Sequence, residues 1–82
     1  MSIIRDVSGN MRARIENHLC RDVFGNRVLD FRGDRLYDTY GNYLGEFRGD
    51  HLYDANGNRL GELRNGGKHF YDTYGNLMFS VE

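Results

Sequence analysis

At 82 residues the chain is confined to one domain with a modest core. Apolar residues at 39% and charged residues at 28% exclude a disordered tail, and a net charge of −1 supplies no field that would draw nucleic acid or an anionic membrane. The single cysteine, Cys20, excludes an internal disulfide framework, and no apolar run approaches transmembrane length. Because Met1-Ser2-Ile3-Ile4-Arg5-Asp6 lacks the apolar stretch of a signal peptide, a cytoplasmic protein without membrane attachment is expected. Proline is absent, which suits a backbone whose donors are needed in β ladders, and eleven glycines argue for many sharp reversals.

Aspartates at 6, 22, 38, 54 and 72 each precede a Gly-Asn pair by three residues, at spacings of 16, 16, 16 and 18. A fixed period over five copies is the mark of a repeat architecture. The first unit, residues 3–18, is the most diverged, with Arg5 and Arg12 where later units carry tyrosine and leucine. The second covers 19–34 and has Cys20 in an apolar slot; the third and fourth, 35–50 and 51–68, are nearly identical. The fifth covers 69–82, and the fourth owes its extra length to Asn65-Gly66-Gly67-Lys68, which replaces a two-residue reversal.

Each unit carries two turn signals. In Asp38-Thr39-Tyr40-Gly41 the aspartate accepts backbone hydrogen bonds, and the glycine supplies the positive φ that ends a type I turn in a G1 bulge. Gly33-Asp34 and Gly49-Asp50 are two-residue connections led by glycine, the pattern of a type II′ hairpin turn. The runs between turns are strand-length, so the chain reads as an antiparallel meander of ten short strands.

Apolar columns mark the core. Ile4, Cys20, Leu36, Leu52 and Phe70 form one, and Ile15, Phe31, Phe47, Leu63 and Val81 another; across the Gly49-Asp50 turn, Phe47 is expected opposite Leu52. A third column, Val28, Leu44, Leu60 and Met78, breaks the alternation, because Leu44 and Phe47 are three apart. A bulge at Gly45 and Gly61 would swing both columns to one side. An open meander would leave two bare edges that closure removes, so the expected fold is all-β, with five tandem hairpin repeats closed into a ring; a linear hairpin stack is the rival arrangement.

Leu-Tyr-Asp-x-x-Gly-Asn-x-x-Gly, at 36–45 and 52–61, resembles the small bacterial proteins called four-fold β-flowers. The resemblance implies hairpin repeats arranged around an axis and no established activity, although this chain has five units. Tyr-Asp-x-x-Gly at 37–41, 53–57 and 71–75 is also similar to the YD repeats of large bacterial shell proteins.

Candidate chemistry is sparse. Each turn offers one aspartate where a calcium loop gathers several carboxylates, so turn geometry accounts for it. His51 and His69 share a column and His18 falls one residue short of it, but no HxH or HExxH spacing exists; no metal and no cofactor is expected. Cys20 stands where other units have isoleucine, leucine or phenylalanine, which reads as a small buried hydrophobe and not as a nucleophile. No residue set looks catalytic. Arg32, Arg48 and Arg64 form a column beside Tyr37, Tyr53 and Tyr71, which single-stranded nucleic acid or a glycan could use, while Glu46 and Glu62 in the same strands would neutralise the stripe. The expectation is a non-enzymatic structural or interaction module that takes a protein partner or its own copies, with Tyr37, Tyr40, Tyr43, Arg48, Tyr53, Arg64, Tyr71 and Tyr74 as the interaction surface. The alternative is a glycan- or nucleic-acid-binding domain using the same columns.

Overall fold

The computed structural model describes residues 1–82. It contains ten strands and no helix: β1 (Ser2–Arg5), β2 (Met11–Glu16), β3 (Leu19–Asp22), β4 (Arg27–Arg32), β5 (Arg35–Tyr37), β6 (Tyr43–Arg48), β7 (His51–Asp54), β8 (Arg59–Arg64), β9 (His69–Asp72) and β10 (Leu77–Val81). Every strand pairs antiparallel with the next, and β10 returns to β1, so the meander closes into a barrel with no free edge. The ring is therefore the arrangement adopted, and not the linear stack. Extents of 30 × 30 × 17 Å describe a disc whose short dimension is the barrel axis.

Five aspartate turns form one rim. In the third, Asp38 Oδ1 accepts hydrogen bonds from the Tyr40 and Asn42 amides, each 2.9 Å long, and the Asp38 carbonyl accepts from Gly41 N. Gly41 sits at φ 87°, and the equivalent glycines of the other four units are within a degree or so of it. These are the expected type I turns closed by a G1 bulge. Donation by the backbone, chiefly from the asparagine four residues on, holds all five carboxyls below the ordinary aspartate range.

The other rim is made by Asn17-His18, Gly33-Asp34, Gly49-Asp50 and the four-residue loop 65–68. Only the leading residue of each two-residue turn has positive φ: Asn17 (58°), Gly33 (63°) and Gly49 (63°). At the fifth position no turn exists. Ile3 and Glu82 exchange backbone hydrogen bonds of 2.9 and 2.8 Å, and Arg5 Nε donates to Glu82 Oε1 at 2.6 Å.

Inside, the two main columns meet as expected: Ile15 faces Cys20, Phe31 faces Leu36, Phe47 faces Leu52, Leu63 faces Phe70 and Val81 faces Ile4. The next inward pairs match large against small. Leu36 faces Gly45, Leu52 faces Gly61, Ile4 faces Ala13 and, with the sizes exchanged, Cys20 faces Leu29. Only Phe70 meets an equal, Phe79, on which its ring stacks at 4.8 Å. Cys20 is thus the small half of a compensated pair, and burial raises its thiol pKa.

The bulge is present but shifted. Leu36 pairs with Gly45 and Tyr37 with Tyr43, so Leu44 is the extra residue, and Val28, Leu60, Met78 and Arg12 are its equivalents. Gly45 and Gly61 themselves stay in register with both neighbours. They are glycine for a different reason: a Cβ on Gly45 would strike the Tyr53 carbonyl oxygen, and one on Gly61 the Tyr71 carbonyl oxygen. The extra residue has the expected effect in the second unit, where Val28, Leu29 and Phe31 line the same interior surface.

Three outcomes follow. Gly45→Ala should lower stability in urea by about 2 kcal/mol through overpacking against a backbone that cannot yield. Gly41→Ala meets no neighbour and should cost about 1 kcal/mol from its left-handed φ alone. Because the turn aspartates are depressed in the fold, their contribution is complete above the unfolded value of about 3.9 and fades as pH falls through the folded values. Acid titration of unfolding should therefore show stability falling below about pH 4, with a shallower fall in Asp38→Asn.

Candidate functional site

Alternation places Tyr37, Glu46, Arg48, Tyr53, Glu62, Arg64 and Tyr71 on the outer wall, opposite in sense to the inward Leu36, Phe47, Leu52 and Leu63. There the arginine and tyrosine columns interlock. The guanidinium carbons of Arg32, Arg48 and Arg64 lie 4.6, 4.8 and 4.5 Å from the ring centroids of Tyr37, Tyr53 and Tyr71. Each arginine also meets an acid two residues earlier: Asp30 at 3.6 Å, Glu46 at 3.7 Å and Glu62 at 3.1 Å. The Arg64 bond is the main reason the Glu62 carboxyl titrates low.

The two remaining junctions carry the same positions with charges exchanged. At the seam Glu82 replaces the arginine and Arg5 the tyrosine, and they form the ion pair already described. Between the first two units Glu16 replaces the arginine and forms an ion pair at 2.8 Å with Arg14, which stands in the acid's place, although Arg14 Nε is not aligned for a hydrogen bond. Arg21 there replaces the tyrosine and donates to the Gly25 carbonyl, as Arg5 does to that of Gly9. Most charges of the outer belt are thus paired within it, and an arginine covers each of the three tyrosine rings.

The other tyrosines separate into two groups. Tyr43 packs against Tyr37 at 5.7 Å and donates its hydroxyl to Glu46 at 2.9 Å; partial desolvation, then that bond, raises its pKa. Tyr40 and Tyr74, at the turn tips, are 90% and 89% exposed. Sequence reasoning missed Phe24, which occupies the same turn position in the second unit and is 85% exposed. The signal was available, since all three stand two residues after a turn aspartate. They join the half-exposed bulge residues Val28, Leu44, Leu60 and Met78 on the aspartate-turn side of the ring, where every large exposed apolar side chain except Met1 stands.

A lumen of about 520 Å³ runs through the ring, with 13 of its 14 lining residues hydrophobic. Accessible area reflects it: 5533 Å², against about 5,100 Å² expected for a close-packed chain of this mass. The lumen is half-open to solvent and not sealed. Its walls offer water almost no hydrogen-bond partner, which is the character of a site for an apolar molecule.

His51 and His69 do not approach one another as partners. His51 Nε2 lies 3.6 Å from Glu62, and His69 Nδ1 lies 2.6 Å from the Asn65 amide. No three His, Cys, Asp or Glu side chains gather into a cation site.

The fold and its surfaces define a small closed all-β repeat protein, a barrel of five hairpins with an apolar lumen. No known protein family, curated protein or solved structure matches the chain.

The covered rings make a specific energetic statement. In a double-mutant cycle, Arg48→Met and Tyr53→Leu should show coupling of about 0.5–1 kcal/mol in urea unfolding, as partly exposed cation–π pairs do.

Proposed function

We propose that the protein is a non-enzymatic interaction module that docks a protein partner, in the first instance another copy of itself, through the aspartate-turn rim. The observation that carries this reading is the concentration of Phe24, Tyr40, Tyr74 and the bulge residues Leu44, Leu60 and Met78 on that one rim. Aromatic and large apolar side chains gathered on one exposed rim suit a protein interface, and tyrosine is enriched in such interfaces. Five-unit kinship with the four-fold β-flower proteins belongs to the same proposal, supported by hairpins arranged around one axis.

The alternative, a shelf for glycans or single-stranded nucleic acid on Tyr37, Tyr53 and Tyr71, is less well supported. Stacking needs a free ring face, and each of these rings already carries an arginine. The arginines are matched by acids on their own strands, so the belt offers phosphate little net charge.

The test uses residues the chain itself places at this position elsewhere, Ser8 and Asn56. Phe24→Ser, Tyr40→Asn and Tyr74→Asn combined should leave the fold intact and abolish concentration-dependent association in light scattering coupled to size exclusion. A wild-type protein that stays strictly monomeric up to millimolar concentration overturns self-docking.

A further inference from the structure

We propose that the lumen is a binding site for one fatty acid, with its hydrocarbon along the barrel axis and its carboxylate against Lys68. The site is separate from the docking rim and does not depend on it.

The chemistry of the wall limits the ligand first. No charged side chain lines the lumen, and the Cys20 thiol is the only side-chain heteroatom there. Whatever enters must be hydrocarbon over that part of its length. The lining extends from Val28, beside the aspartate-turn rim, to Gly67 on the opposite rim, across a disc 17 Å thick. A single chain fits such a passage better than a globular apolar molecule does.

The polar end is assigned by the one irregular junction. The four-residue loop 65–68 borders a cleft lined by Gly66, Gly67, Lys68, His69, Val81 and Glu82, and this cleft shares Gly67 and Val81 with the lumen. The Glu82 carboxylate is bonded to Arg5, Arg64 to Glu62, and the His69 ring to Asn65. Lys68, the only lysine in the sequence, is exposed and pairs with no acid. Its flexible stem can follow apolar surface while its ammonium meets an anion at the mouth. At the matching positions, two of the other junctions have aspartate, Asp34 and Asp50. The loop that breaks the repeat is thus where the lumen opens beside an unneutralised cation.

Calorimetry below micelle-forming concentrations tests this with dodecanoate, dodecanol and dodecyltrimethylammonium. Dodecanoate should bind one per chain, and Lys68→Gln should weaken it about twofold to fivefold while leaving dodecanol unchanged. The variant with Phe24→Ser, Tyr40→Asn and Tyr74→Asn should bind dodecanoate as the wild type does, which separates this site from the docking rim. Nuclear Overhauser contacts should join the ligand methylenes to the methyls of Leu36, Leu52 and Leu63. No saturable binding, or contacts confined to Leu44 and Leu60, overturns the lumen site. Ammonium binding as tight as dodecanoate binding overturns the assignment of Lys68.

Discussion

In each unit a single aspartate carboxylate holds the turn it begins, accepting two backbone amides while its own peptide group closes the turn onto glycine and asparagine. The rest of the barrel inherits its register from this arrangement. Because side chains alternate along a strand, fixing the turn decides that Leu36 points inward and Tyr37 outward, and a slip of one residue would reverse both. Repetition of the carboxylate at every aspartate turn gives five hairpins of the same geometry, and equal hairpins joined edge to edge bend into a ring.

Closing that ring in so few residues leaves a consequence inside. Ten short strands enclose more space than one inward layer of side chains can fill. Pairing large with small around the wall, as with Leu36 on Gly45 or Leu29 on Cys20, keeps neighbouring strands close without closing the lumen. The bulge residues then lean on the aspartate-turn rim as a second apolar tier, half in water. Stability rests more on hydrogen-bonded turns and the strand ladder than on a deep core, since Cys20, Leu36 and Phe70 are the only apolar side chains that are buried and none is sealed completely from solvent.

The outer wall shows how repeats stay joined after their sequences diverge. Three junctions use arginine over tyrosine, and at the seam the roles pass to Glu82 and Arg5 with the attraction kept. The seam has no connecting turn, so the β1–β10 ladder, the Ile3–Glu82 backbone hydrogen bonds and the ion pair do the joining there. With most of the belt's charges paired among themselves, the most exposed chemistry lies on the two rims: aromatic tips on one and Lys68 on the other.

The sequence alone determined the repeat, both kinds of turn, the two inward columns and the pairing of Phe47 with Leu52, because each follows from local backbone preference and a period of two. The broken alternation pointed to a bulge, but at Gly45 and Gly61, where the pairing is regular; the extra residues are Leu44 and Leu60. Gly45 answers to the Tyr53 carbonyl on the neighbouring strand, a contact no local pattern reveals. Among the candidate surface residues, sequence could not separate Tyr37, Tyr53 and Tyr71, covered by arginines, from Tyr40 and Tyr74, which stand free. That division depends on diagonal neighbours across strands. Only closure decided that Glu82 meets Arg5, and that the lumen shares its lining with the cleft beside Lys68, since these join residues far apart in the chain through strands that pair without a turn between them.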